Sequence, residues 1–254
     1  MSNSTLSHGS TLSHGKSGNQ LLDALIPADF ERLLPHIEST PMAFKQTFHK
    51  QGQAITHVYF PTGGVGSVTK VMSDGAMIEV ATAGREGMIG TDLFLGETNA
   101  LNEALMQVPG PDGWRIPAGP FTAELQRGGP FWDLMRRYTV SFIGSAQQSV
   151  ACNGLHNVEE RCCRWLLSTQ DRIGTDRVRL TQEFLAVMLG VRRPTVTIVL
   201  GALEKKGMLE LRRGEIHIVD RKQLEDGACE CYGSTQLDYE RLLPECNGHR
   251  RVGD

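Results

Sequence analysis

The chain has 254 residues, 40% of them hydrophobic, which suffices for two domains with a core each. It carries 26 Lys+Arg against 29 Asp+Glu, formally −3 at pH 7, so no overall basic character marks it as a nucleic-acid binder. No run of about 18 apolar residues occurs, which excludes a membrane-spanning helix, and MSNSTLSHGSTLSHGKSGNQ at the N-terminus lacks the apolar centre of a signal peptide; the expected location is the cytoplasm.

That N-terminus repeats STLSHG at 4–9 and 10–15. Its Ser, Gly and Thr content cannot support a packed structure, so residues 1–18 are expected to form a disordered tail, with His8 and His14 not assigned to a metal. From Ile55 to about Ile116 come short β-prone runs, AITHVYF, GSVTKVM, MIEVATA, ALMQV and WRI, separated by Gly-, Pro- and Asp-rich breaks. Asp74-Gly75 marks the clearest hairpin. This pattern predicts an antiparallel roll over 19–129, in which the turn TAGREGMIGTD either aims backbone donors at a ligand or simply connects strands. The period then switches. Residues 130–152 read as one long helix starting at Pro130 and broken at Asn153-Gly154. Its seam of Leu134 or Met135, Tyr138, Phe142, Ser145, Ser149 and Cys152 narrows from large side chains to small ones, as two closely approaching helices require, and it is read as a dimer helix with a hinge over 130–156. Asn157 with Glu160 is a capping signature that opens the next helix.

The stretch TQEFLAVMLGVRRPTVTIVLGALEKKG, 181–207, holds two short amphipathic helices. Apolar residues fall at 184, 185, 188 and 189, then at 196, 199, 200 and 203. Thr181 can cap the first helix, Gly190 can end it in a left-handed conformation, and Pro194 is tolerated in the first turn of the second. So tight a turn requires a small residue at the crossing, which Ala186 supplies. Arg192, Arg193, Thr195, Thr197 and Ile198 are left at or near the surface. This is a helix-turn-helix pattern, whose second helix enters a DNA major groove. MLELRRGEIHIVD follows as a hairpin wing carrying Arg212 and Arg213, which completes a winged helix over 157–232; residues 233–254 are read as a C-terminal tail. Between Arg161 and Arg213 eleven basic residues face five acidic ones, a local balance of +6 suited to phosphates, with Arg164, Asp171 and Arg172 the best candidates for a merely solvated face.

A roll, a long helix and this winged helix resemble the cyclic AMP receptor protein / fumarate-nitrate regulator (Crp/Fnr) family of bacterial transcription factors, over roughly residues 19–232. The resemblance is specific in the helix-turn-helix and looser in the roll, where VYFPTGGVGSV and GREGMIGTDLFLGE resemble a divergent branch. It implies an α+β chain: an N-terminal antiparallel, cyclic-nucleotide-binding-like β-roll, a dimerisation helix and a C-terminal winged helix-turn-helix. It also implies a homodimer on a palindromic site in double-stranded DNA, with RNA polymerase as a further partner and no membrane. Thr181 matches the phosphate-contacting residue at the start of the first motif helix, and Arg193 matches the base-reading arginine, whose two parallel donors fit guanine. Two other reading positions depart from the family, a glutamate to Pro194 and an arginine to Ile198, so Arg192 or Thr197 is expected to share the readout. With Thr195, Lys205, Lys206, Arg212 and Arg213 these form the expected DNA-binding set.

In the roll, the family's Gly-Glu pair appears as Gly90-Thr91, and LGETNALNEALMQV has no arginine to meet a cyclic phosphate. Arg85 and Glu86 lie near in sequence but off the matching positions; with Gly90 and Thr91 they are the candidate effector contacts. No cysteine precedes Cys152, so neither cyclic AMP nor an N-terminal iron-sulfur cluster is expected, and no cofactor is predicted. Cys229 and Cys231 lack a partner pair at zinc-finger spacing and are read as structural, with no metal site assigned. Cys152 or Cys163 beside His156 lacks an oxyanion loop and an oriented base, so no enzyme is expected. The alternative to a DNA-binding regulator is a ligand- or redox-responsive sensor acting through protein partners.

Overall fold

Short β-prone segments, most of them buried along much of their length and separated by turn residues, build the N-terminal half. A computed structural model of the chain describes residues 12–243. Two short helices, α1 (Gln20–Asp23) and α2 (Pro27–Leu33), precede the strands β1 (Glu38–Thr40), β2 (Thr47–His49), β3 (His57–Phe60), β4 (Val65–Val71) and β5 (Met77–Ala83). After the short helix α3 (Thr91–Phe94) come β6 (Glu103–Val108) and β7 (Gly113–Pro117). They form two antiparallel sheets, ordered β1-β7-β3 and β2-β6-β4-β5. The five expected runs each contain a strand, and the turn at Asp74-Gly75 joins β4 to β5 with Gly75 at φ +83°. Strands β1 and β2 lie inside the expected roll but before its first β-prone run, too short to show a period of their own. At Gly64, φ is +76° and an added Cβ would lie 2.4 Å from Val108 O, so only glycine lets β4 approach β6 there.

Residues 12–18 are anchored, contrary to the expected tail. Ser17 N donates to Asp23 Oδ1 at 2.7 Å and Trp114 Nε1 donates to Ser17 O at 2.9 Å. His14 stacks edge-on against Phe30 with its Nε2 2.6 Å from Leu25 O; His8 lies outside the described residues. Asn19 then caps α1 while its amide donates to Pro61 O and Gly87 O, both at 2.8 Å, which ties the N-terminal segment to the roll.

Helix α4 (Ala118–Arg127) leads into α5 (Pro130–Leu155), α6 (Val158–Ile173), β8 (Arg177–Val178), α7 (Gln182–Leu189), α8 (Arg193–Lys205), β9 (Leu209–Arg212), β10 (Glu215–Ile218), α9 (Arg221–Asp226) and α10 (Cys231–Leu242). Asn153-Gly154 does not break α5. A glycine costs a helix only about 1 kcal/mol, and the chain stops at His156 because Asn157 then opens α6 with a capping box to Glu160.

The expected dimer seam is also corrected. Leu134, Met135, Tyr138 and Cys152 are buried within the chain, and Tyr138 Oη donates to Met88 O at 2.7 Å. Ser145 and Ser149 line a cleft closed by β5, α6 and α10. The face of α5 left open is a different stripe, Val140, Ile143, Gln147, Val150 and Gly154, with alternating three- and four-residue spacing. Residues 233–242, expected as tail, continue α10, which runs back along α5: Gln148 Nε2 donates to Cys231 Sγ at 2.9 Å, and Tyr239 and Leu243 reach the core around Tyr138 and Phe142. Among the described residues no single helix is long and apolar enough to cross a membrane.

Candidate nucleic-acid interface

Thr181 caps α7 through its side chain, which accepts from Phe184 N. Gly190 ends the helix at φ +61°, ψ +37°, and α8 starts three residues later at an angle of 103° to α7. Leu185, Ala186, Met188 and Leu189 from α7, with Val196, Val199, Leu200 and Leu203 from α8, are all buried in one core with α6 and the three-stranded sheet β8-β10-β9. One further partner at this corner is Arg161, buried on α6, whose guanidinium donates to Leu189 O and so satisfies a carbonyl at the end of α7.

What remains outside is the first turn and a half of α8. Arg192, Arg193 and Thr197 are exposed, Thr195 is half-buried, and Ile198 is 73% exposed. Arg193 Nη1 lies 3.8 Å from Glu183 Oε2, and Thr197 Oγ1 donates to Gln182 Oε1 at 2.7 Å. Gln182 was not singled out from the sequence, though its place one residue after the Thr181 cap was the available signal. Arg212 and Arg213 are exposed on the β9-β10 hairpin, whose turn holds Gly214 at φ +74°, and Arg212 Nη2 lies 3.2 Å from Glu210. Lys205 and Lys206 are not brought to this group. They close the far end of α8, about 18 Å from Arg193 at about 1.5 Å per residue, and Lys206 pairs with Glu159 of α6, which raises its pKa.

The local +6 therefore overstates the charge on offer to DNA. Arg161 is consumed inside, and Arg172 donates to Glu86 Oε1 at 2.8 Å. Asp171 is no solvated residue either: it accepts from Arg221, Tyr232 and Gln236 and joins α6 to α9 and α10.

The four effector candidates do not converge. Arg85 Nη2 donates to Asp171 O at 3.1 Å and Glu86 binds Arg172, so both face the DNA-binding half. Gly90, at φ +112°, and buried Thr91 begin α3 under β3. The cleft lined by Arg172, the partner of Glu86, between β5, α5, α6 and α10, holds about 30 Å³, room for a water molecule or two. Across this junction Glu79 of β5 accepts from Ser67 and from Trp165 Nε1 at 3.0 Å, and burial pushes its carboxyl up to about 7 against those hydrogen bonds and the charges of Arg164 and Arg172. Phe184 of α7 stacks edge-on against Phe44, with Lys45 Nζ 5.1 Å from the Phe184 ring centre, so α7 is docked on the roll.

The Crp-like helix-turn-helix domain family matches residues 160–226. Among curated proteins none matches the chain in sequence. Among solved structures the chain is similar to a transcriptional regulator of the Crp/Fnr family from Eubacterium rectale, 18% identical, covering 84% of this chain and 99% of that one with a TM-score of 0.65. FixK2 from Bradyrhizobium japonicum is 15% identical, with 76% and 98% covered and a TM-score of 0.65. The c-di-GMP responsive global regulator CLP from Xanthomonas campestris is 16% identical, with 76% and 99% covered and a TM-score of 0.61. Residues 160–226 thus form a Crp-like helix-turn-helix domain, a DNA-binding module, set in a chain that has the fold of these Crp/Fnr-type regulators.

Proposed function

We propose that the chain acts as a homodimer that reads a palindromic operator, with one α8 in each of two successive major grooves about 34 Å apart. The observation that carries this reading is the exposed, side-by-side array of Arg192, Arg193, Thr197 and Ile198 on the first turns of α8, held out by the α7 crossing. Arg193 takes the guanine-reading role, with Arg192 and Thr197 beside it. Ile198, exposed and apolar, suits a thymine methyl group. Thr181, Arg212 and Arg213 flank this array and hold phosphates, while Lys205 and Lys206 contribute at most a long-range attraction.

The open stripe on α5 is the dimer contact, and it sets the spacing of the two α8 helices. The roll does not take cyclic AMP in the usual way: Arg85 and Glu86 are engaged by α6, and the cleft beside them is too small for a nucleotide. Whether the bound dimer recruits RNA polymerase is a separate step, read by transcription in vitro from an operator-bearing promoter.

Selection of bound sequences from a random duplex pool by the ligand-free protein, at two salt concentrations, tests the reading. An enriched palindrome containing a conserved guanine in each half-site is expected, with affinity falling steeply as salt rises. Binding without enrichment at either salt would overturn it. Salt-insensitive capture of a protein partner in its place would favour the sensor-module alternative.

A further inference from the structure

Cys152 and His156 stand one turn apart at the C-terminal end of α5, while Cys229 lies in the link after α9 and Cys231 opens α10. The fold brings these four together although more than 70 residues separate the pairs. Their ligand atoms all lie within 4.8 Å of one another. Cys152 Sγ is 3.5 Å from Cys229 Sγ, and Cys231 Sγ is 3.6 Å from His156 Nδ1. A tetrahedral zinc ion with Zn–S of about 2.3 Å and Zn–N of about 2.0–2.1 Å sets its ligands about 3.5–3.8 Å apart. We propose that Cys152, His156, Cys229 and Cys231 form a structural Cys3His zinc site that bolts the end of the long helix to the segment following the winged helix.

Three buried cysteines alone can serve as small apolar groups. The groups around these three are not apolar. His156 turns Nδ1 inward while its Nε2 lies 3.1 Å from Glu230 Oε2, the carboxylate-histidine arrangement that fixes a ligating tautomer. Gln148 Nε2 donates to Cys231 Sγ at 2.9 Å, an outer-shell bond to a ligating sulfur. Arg161 lies close enough to feel Cys152 and Cys229, and its charge offsets the net −1 of three thiolates on a dication. The spacing also decides against a multi-iron cluster, whose bridging sulfides spread the cysteine ligands farther apart than a single ion does. Four N/S donors in this geometry select zinc among common divalent ions. Binding breaks three S–H bonds, forms three Zn–S bonds and one Zn–N bond, and releases the three protons to solvent.

The site sits at the His156-Asn157 step where α5 gives way to α6, so the ion fixes the angle at which the DNA-binding half leaves the long helix. The sequence concealed it because Cys229-Glu230-Cys231 has no second cysteine pair; its partners are a cysteine and a histidine in a helix read as a dimer contact.

Elemental analysis of the full-length chain, purified without chelator, is the first test, and its readout does not depend on DNA binding. One zinc per chain is expected. Exchange for cobalt should give the visible bands of tetrahedral cobalt with a thiolate charge-transfer band, lost in Cys229→Ser. His156→Ala, at a partly exposed position, tests the same loss where the cysteine variant fails to fold. Glu230→Gln should weaken zinc binding about 10–100-fold. Wild-type protein retaining no zinc, a cobalt spectrum unchanged in His156→Ala, or a Cys152-Cys229 disulfide in freshly purified protein would each overturn the proposal.

Discussion

In the free protein Arg193 faces Glu183 across 3.8 Å with both side chains mostly exposed, so this pair is worth about 0–1 kcal/mol. Exchanging it for the O6 and N7 of guanine costs little and gains a bidentate contact worth about 1–3 kcal/mol of discrimination. Arg193→Ala should therefore weaken binding to the selected operator about 5- to 150-fold and flatten the preference at a single base pair. Arg193→Lys should recover part of the affinity and little of the preference, because an ammonium cannot make two parallel bonds. Fluorescence anisotropy against operators substituted at each position reads both; an equal loss on every sequence would reduce Arg193 to a phosphate contact. The exposed place of Arg193 at the start of α8 was legible in the sequence because the turn chemistry of Gly190 and Pro194 fixes where that helix begins. Arg161 and Arg172 were not, since composition records a charge but not its direction, and only the packed fold shows one meeting Leu189 O and the other Glu86.

Helix α7 serves two neighbours at once, α8 on one side and the roll on the other, and the second contact has no trace in its own periodicity. Likewise the inward face of α10 includes Tyr232, Thr235 and Gln236, too polar to signal a buried helix until Asp171 and Arg221 are in place to meet it. The hairpin, the long helix and the winged helix were legible because each depends on local turn and cap chemistry. The docking of α6 on β4 and β5 was not, because it involves Glu79, an ordinary strand residue until Trp165 and Ser67 close over it. Its carboxyl lies near 7 in the folded chain against 4.5 in the unfolded one, chiefly through desolvation. Between those values the folded state keeps a proton that the unfolded state has released, so Glu79 lowers stability as pH rises from 4.5 to about 7 and adds no further change above. The full effect is at most about 3 kcal/mol. Glu79→Gln should leave stability nearly unchanged near the lower end of that window and raise it at pH 8 and above. Thermal unfolding of both proteins across the window checks this; parallel curves would mean that the carboxyl ionises freely in the docked state.

Two α8 helices can read one palindrome only if the subunits are held with their two-fold axis on that of the DNA. The open stripe of α5 fits this need, with Val140 and Ile143 half-exposed and Val150 73% exposed. The inward face already meets Met88, the α10 helix and the cysteine group, which leaves this outward stripe open to a second chain. Burying a valine is worth about 1.5–3 kcal/mol, and in a two-fold contact each substitution is felt twice. Val150→Glu should therefore weaken dimerisation by at least about 100-fold through lost burial and like-charge approach, while leaving the monomer's unfolding midpoint in place because the side chain touches little of its own chain. Sedimentation equilibrium should show monomers at concentrations where the wild type is dimeric. The variant should keep weak binding to an isolated half-site and lose the gain from joining two. Dimers that survive Val150→Glu together with Ile143→Glu would move the contact off α5, and the spacing of the operator half-sites would then have to be set by another surface.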